Sequence, residues 1–121
     1  MKKRFSTVRI PGELKRAVYQ VIEYEGTPLF LVENRAVEKF LNENEDVTER
    51  YRYRKYDEMY IKRDEVLPVY LTEELMLRVE EYKKKIAANR SNIVLQALEN
   101  DCLGRLNSMG IEVRISYLDE H

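Results

Sequence analysis

The chain has 121 residues, of which 44% are hydrophobic and 36% are charged, and its formal net charge at pH 7 is −1. This length allows one compact domain or two very small ones, with enough apolar residues for a core. The single cysteine, Cys102, excludes an internal disulfide framework and a cysteine-rich zinc site. The single histidine, His121, argues against histidine-based catalysis and histidine-rich metal sites.

No apolar run of the sequence is long enough for a transmembrane helix. The initial Met-Lys-Lys-Arg is not followed by the apolar stretch of a secretory signal. Together these observations predict a cytoplasmic protein with no membrane partner. The sequence also has no nucleophile–base pair, metal-binding cluster or glycine-rich phosphate loop. We therefore expect no enzymatic activity, no cofactor and no bound metal.

The first predicted elements are a short strand and a helix that meet at Pro11. Apolar and polar residues alternate over residues 7–10, which predicts a strand with one apolar face. Pro11 has no N–H to give to a strand ladder, so the strand should end there. From Leu14 onward the apolar residues recur at helical spacing. We predict a helix over residues 12–25, ended by Gly26 in the left-handed conformation.

A second helix is predicted from Thr27 to about Glu43, with Thr27 as its N-cap and Pro28 at its first helical position. Residues 45–65 follow as a charged connector. Within it, the segment 50–56 combines four positive charges with three tyrosines. Two interpretations stay open for this segment. It could be a solvated helix or loop whose tyrosine rings cover the rest of the fold, or an added contact to a nucleic-acid backbone.

The strand–helix–helix pattern then returns. Residues 67–71 alternate again, and Thr72, followed by two acidic residues, is a good start for a helix. The segment 89–92 predicts a turn that caps a last helix, which should stop near Gly104. A constant shift of 61 positions superimposes the first pattern on the second; it places Val8 on Val69, for example. One offset through strand, helix and helix predicts an internal repeat.

The C-terminal residues 105–121 carry a third strand signal. Ile111, Val113 and Ile115 alternate with polar residues, which predicts a strand over 111–117. A strand with no helix after it needs an edge to pair with. We therefore expect a homo-oligomer that forms through this strand, with pairing to residues 59–62 of the same chain as the alternative. The predicted organisation is module 1 at 1–44, the connector at 45–65, module 2 at 66–104 and the tail at 105–121.

Two stretches carry a resemblance to a known family. Residues 7–14 resemble the strand-Pro-x-x-hydrophobic opening of ribbon-helix-helix DNA-binding proteins of the MetJ/Arc type, and residues 89–98 resemble the opening of that family's second helix. A tandem pair is similar to TraY-like plasmid proteins and to regulators of hyperthermophilic archaeal viruses. The resemblance implies a mainly α fold with short β. Two tandem modules would form a pseudo-dimer with an intertwined antiparallel two-stranded ribbon, plus the C-terminal strand.

The resemblance also implies sequence-specific binding of double-stranded DNA by a transcriptional regulator. In this family the polar face of the ribbon reads bases in the major groove, and the N-termini of the second helices contact phosphates. The candidate base-binding residues are Phe5, Thr7, Arg9 and Tyr70. The candidate phosphate-binding residues are Lys2, Lys3, Arg4, Thr27, Leu29, Asn89, Arg90, Ser91 and Asn92. The alternative function is a relaxosome or partition accessory, or an antitoxin-like protein, that binds DNA and a protein partner.

The second copy departs from the family on the ribbon. The positions that match Phe5 and Thr7 are Val66 and Pro68, which offer little hydrogen bonding to bases. Two explanations stay open. The DNA site could be asymmetric, or each copy could pair with its own kind from a second chain.

Overall fold

A computed structural model of the protein describes residues 3–118, with the backbone alone for Lys3, Arg4 and Phe5. Over this range the chain is mainly helical with one small sheet. The first copy comprises β1 (Lys3–Ile10), α1 (Gly12–Glu25) and α2 (Leu29–Asn42). The second copy comprises β2 (Glu65–Thr72), α4 (Glu73–Ile86) and α5 (Arg90–Ser108). A short α3 (Glu49–Arg52) lies between them, and Ser116–Leu118 form a 3-10 turn.

β1 and β2 form an antiparallel pair, called the ribbon below. Thr7 pairs with Pro68 at its middle, and Arg9 pairs with Val66 towards one end. Thr7 and Pro68 are counterparts under the shift of 61 positions. The ribbon therefore pairs equivalent residues of the two copies at its centre, which gives it approximate two-fold symmetry.

The two faces of the ribbon differ as the alternation predicts. Ile10, Leu67 and Leu71 on the inner face are fully buried, whereas Thr7 and Arg9 on the outer face are exposed. A two-stranded ribbon has little stability of its own in water. The helices beneath it supply the apolar surface that its inner face requires.

The first helix of each copy follows the predicted rules. α1 spans the predicted residues, and Pro11 precedes it as the N-cap, with its carbonyl accepting from the Lys15 N–H at 3.0 Å. Gly26 ends α1 with φ 67°, the left-handed conformation that glycine adopts easily. Both bounds of α4 lie 61 positions after those of α1. Thr72 caps α4, because its side chain accepts from the Leu75 N–H at 3.2 Å.

The bounds of the second helices differ slightly from the prediction. α2 begins at Leu29, and its N-cap is Pro28 instead of Thr27. Pro28 has a ψ of 157°, outside the helical range, while its carbonyl accepts the first helical bond from Val32. α5 continues past Gly104 to Ser108 because one more turn buries Leu106 in the core.

The predicted strand at 111–117 is wrong. Residues 111–115 have no regular secondary structure, and the 3-10 turn follows them. Ile115 is nevertheless buried in the core, with Ile111 and Val113 partly buried beside it. The alternation therefore marks side chains that pack on one side of an irregular segment. Ser116 holds this segment in place, since its N–H donates to Glu13 at 3.0 Å.

The outer edge of β2 is also closed to a further strand. The Tyr70 N–H donates to Glu33 Oε1 at 2.9 Å, and the Thr72 N–H donates to Asn34 Oδ1 at 3.0 Å. Asn34 Nδ2 donates in turn to the Tyr70 carbonyl at 2.8 Å. Side chains of α2 thus bind the backbone groups that a neighbouring strand would need.

Both copies contribute to one hydrophobic core. α5 packs against both α1 and α2. A network of ion pairs joins these three helices: Arg35 and Arg105 each contact Glu25 and Asp101, with N···O distances from 2.9 to 3.4 Å. The two copies therefore share a core instead of each enclosing its own.

Candidate nucleic-acid interface

The outer face of the ribbon presents the predicted base-binding residues Thr7 and Arg9 to solvent. Arg9 Nε donates to the Arg63 carbonyl at 3.2 Å, which orients the guanidinium at the end of the ribbon next to the connector. Val66, its strand partner, is 44% exposed, and Pro68 is half-buried. One half of this face is therefore polar and positively charged, and the other half is apolar.

Tyr70 lies at the opposite end of the ribbon, paired with Phe5. Its side chain is half-buried, and its backbone is held by Glu33 and Asn34 of α2. The Phe5 side chain lies outside the described part of the chain. So do the side chains of Lys3 and Arg4, which occupy β1, and the whole of Lys2. The predicted phosphate contacts Lys3 and Arg4 are thus placed only by their positions in β1.

The N-termini of the second helices differ in charge from those of the first helices. The first turns of α2 and α5 contain no acidic residue. By contrast, α1 carries Glu13 in its first turn, and α4 carries Glu73 and Glu74. Acidic side chains neutralise the positive end of a helix dipole. The starts of α2 and α5 are therefore the helix ends at which free N–H groups and an uncompensated dipole attract an anion.

Thr27 and Leu29, the predicted phosphate contacts of the first copy, are half-buried at the start of α2. Pro28 between them makes no side-chain capping bond. At the matching place, Asn89 caps α5, with its side chain accepting from the Asn92 N–H at 2.8 Å. The capping role expected for Asn89 is confirmed.

The residues after Asn89 divide into two kinds. Arg90 and Ser91 are half-buried and line an open cleft of about 810 Å³ against α4. Asn92 is buried, and its side chain accepts from Arg63 Nη2 at 2.8 Å. Asn92 therefore holds the connector in place and does not face outward.

The start of the connector's tyrosine-rich segment packs inside the fold. Tyr51 is buried, and its hydroxyl donates to Glu99 Oε1 at 2.6 Å and lies 2.8 Å from the Tyr117 hydroxyl. Burial and the nearby Glu99 carboxylate raise the pKa of Tyr51, which keeps its hydroxyl protonated. Arg52 donates to the Ala87 carbonyl at 2.8 Å, just after α4 ends. The covering interpretation is confirmed for this part, whereas residues 54–56 stay exposed.

Sequence reasoning missed Glu33, which is fully buried in α2. Burial raises the pKa of its carboxyl to about 8, although the Tyr70 N–H acts in the opposite direction. Its Oε2 has no hydrogen-bond partner among the described residues. One sequence signal could have revealed the burial of Glu33. When the two copies are superimposed, Glu33 falls on the aliphatic Val94, which indicates a position inside the core.

The described residues also bear on metal binding and membrane insertion. No group of His, Cys, Asp and Glu within residues 3–118 is arranged to hold a metal ion. In the same range, no helix has both the length and the apolar character to cross a membrane. Cys102 is buried, and burial raises the pKa of its thiol to about 12, so it behaves as a core residue and not as a nucleophile.

No protein-family model, curated protein or solved structure matches this chain. The resemblance to ribbon-helix-helix proteins consequently depends on the residues quoted above and on the arrangement of strands and helices.

Proposed function

We propose that the protein binds double-stranded DNA in a sequence-specific manner and regulates transcription. In this proposal the two copies are ribbon-helix-helix modules of one chain, paired as a pseudo-dimer, and the ribbon enters the major groove. The observation that carries the proposal is the pairing of Thr7 with Pro68, its counterpart in the second copy. That register supports a ribbon shared symmetrically between two modules, with an outer face free of the core.

Base recognition would come mainly from the first copy. Arg9 is exposed on the outer face and can form a bidentate contact with a guanine, worth about 1–3 kcal/mol of discrimination. Thr7 can contact a neighbouring base through its hydroxyl or its methyl group. Val66 and Pro68 would add apolar contacts to thymine methyl groups. The proposed DNA site is therefore asymmetric, although the ribbon that reads it is nearly symmetric.

Phosphate contacts would come from the starts of α2 and α5, which flank the two ends of the ribbon. The Tyr70 end is tied to α2 through Glu33 and Asn34. The Arg9 end is tied to the start of α5, because Arg63 contacts both Arg9 and Asn92. These two helix N-termini, which lack acidic residues, would then bind DNA phosphates on either side of the ribbon. Those contacts would fix the depth and register of the ribbon in the groove.

The proposal is tested by selecting bound duplexes from a random library and then comparing two variants on the selected sequence. Arg9→Ala removes the proposed guanine contact and should weaken binding by about 1–3 kcal/mol while relaxing preference at one base position. Arg16→Ala is the matched control. Arg16 is exposed on α1 and belongs to neither strand of the ribbon, so its removal changes the net charge equally but should leave base preference unchanged.

Circular dichroism spectra of both variants should equal that of the wild type, since neither side chain belongs to the core. The proposal is refuted if the library yields no preferred sequence. It is equally refuted if Arg9→Ala and Arg16→Ala bind the selected duplex with the same affinity and preference.

The alternative function is an accessory or antitoxin-like protein with a protein partner, and the feature that favoured such a partner was the predicted strand at 111–117. That segment packs on the core of its own chain, with Ile115 buried and Ser116 bound to Glu13. No observation on the described residues therefore favours this alternative over DNA binding.

A further inference from the structure

A cleft of about 460 Å³ lies between the connector and the start of α5, and we call it the connector cleft. Its positively charged lining residues are Arg52, Arg54, Lys55 and Arg63. No acidic residue lines it, whereas four other clefts on the described residues each include at least one Glu or Asp. In a chain of net charge −1, this concentration of positive charge is local.

The four cations are not equally available. Arg52 is bound to Asp46 at 2.7 Å and to backbone carbonyls, so it is a structural residue. Arg63 donates through Nη2 to Asn92 and to the Tyr51 carbonyl, and its Nε is buried without a partner within residues 3–118. The Arg54 and Lys55 side chains are exposed, and no hydrogen bond or ion pair engages them in the described part of the chain.

The connector cleft adjoins both elements of the proposed DNA interface. Asn89, the N-cap of α5, lies in its wall, so the uncompensated positive end of that helix opens onto it. Arg63 links it to the ribbon, because the Arg63 carbonyl accepts from Arg9 Nε at 3.2 Å. Positive charge therefore continues from the base-reading face of the ribbon into the cleft.

The exposed cations of the connector cleft have no basic counterparts at the matching positions of the tail. Under the shift of 61 positions, Arg54 falls on Ile115, which is buried in the core, and Lys55 falls on Ser116, which is bound to Glu13. Among the described residues, this pair of uncommitted cations is therefore not repeated at the matching positions.

We propose that the connector cleft binds a phosphate group of the DNA backbone beyond the groove entered by the ribbon. Arg54 and Lys55 would contact the phosphate, and Arg63 would fix the wall of the cleft. This inference rests on the proposed DNA binding. It adds a phosphate contact from the connector to those proposed for the starts of α2 and α5.

The test compares Lys55→Glu with Lys39→Glu on a mixed-sequence duplex several helical turns long, over a series of salt concentrations. Both lysines are exposed, and both substitutions change the net charge equally, but Lys39 lies in the last turn of α2, outside the cleft. Lys55→Glu should weaken binding about tenfold more than Lys39→Glu, and it should reduce the slope of log affinity against log salt by about one. Equal affinities and slopes for the two variants overturn the proposal.

A second measurement separates this inference from the proposed function. Sodium pyrophosphate is titrated into the wild type and Lys55→Glu while the backbone amides of residues 88–92 are followed by NMR. Shifts in the wild type that Lys55→Glu abolishes, together with the salt result above, support the phosphate site. The same shifts in a protein that binds no duplex would overturn both the DNA contact and the proposed function, and would identify a site for free phosphate. No shift and no duplex binding would overturn every part of the proposal.

Discussion

The Glu33 side chain lies on the buried face of α2, and 0% of its surface is exposed. Burial raises its pKa to about 8, so in the folded chain it stays protonated up to that pH. In the unfolded chain the same group titrates near its ordinary value of about 4.3. Between these two values the folded protein holds a proton that the unfolded protein has lost. The free energy of unfolding therefore decreases as the pH rises through this window.

We predict that Glu33→Gln removes this decrease. A glutamine can still accept from the Tyr70 N–H through its carbonyl oxygen, but it carries no charge at any pH. Between about pH 5 and about pH 8 the contribution of Glu33 should lower wild-type stability by at most about 4 kcal/mol. Urea unfolding at these two pH values measures the change in the free energy of unfolding. Glu38→Gln, exposed on the same helix, is the control and should follow the wild type. Parallel pH profiles for Glu33→Gln and the wild type would contradict the prediction.

The elements that could be predicted from the sequence are those set by neighbouring residues. The alternation over residues 7–10 places the end of β1 correctly, although the strand begins earlier, at Lys3. The helical spacing after Leu14 places α1 correctly. Thr72 and Asn89 are caps whose side chains accept from an N–H three residues later, so local residues determine them. The same reasoning failed at Thr27, because Pro28 is the N-cap of α2. The fixed shift of 61 positions then gives both bounds of α4 and the start of α5, but not the extra turn with which α5 ends.

The connector and the tail could not be predicted in the same way, because distant residues determine their structure. Tyr51 is held by Glu99 and Tyr117, which are 48 and 66 positions away in the sequence. Ser116 is held by Glu13, 103 positions away. The apolar alternation at 111–115 is real, but the pattern does not tell a strand from an irregular segment packed on a core. The connector cleft could not be predicted for the same reason, because its wall depends on the hydrogen bond from Arg63 to Asn92, which is distant in the sequence.

The tail should contribute to stability, in contrast to the sequence-based expectation that it serves self-association. Ile115 is buried in the shared core, so Ile115→Ala would leave a cavity and should lower the free energy of unfolding by about 2–5 kcal/mol. Glu112→Ala, exposed in the same segment, should change it by less than about 0.5 kcal/mol. Urea unfolding compares the two variants. An Ile115→Ala protein as stable as Glu112→Ala would mean that the segment does not pack as described.

The distribution of charge over the molecule, and not its total, should govern the proposed DNA binding. The net charge of −1 predicts little general attraction to DNA. Arg9, the connector cleft and the acid-free starts of α2 and α5 are nevertheless local concentrations of positive potential. If these groups displace about four counterions, affinity should fall roughly hundredfold between about 50 and about 200 mM salt. Fluorescence anisotropy with a labelled duplex measures this dependence, and an affinity independent of salt would contradict it.

Because the two copies share one core, they should remain together after the chain is cut between them. The connector offers a site for the cut at Tyr56, which is 95% exposed and lies outside every helix and strand. A protease recognition sequence inserted there and cleaved should leave the two fragments bound through the ribbon and through the contacts of α5 with α1 and α2. The melting temperature should then depend on protein concentration, since unfolding would separate the fragments. Native mass spectrometry before and after cleavage, with the uncleaved insertion variant as control, measures the association. Fragments that separate while each keeps its helical spectrum would show two independent domains, and the paired arrangement proposed for the two modules would be wrong.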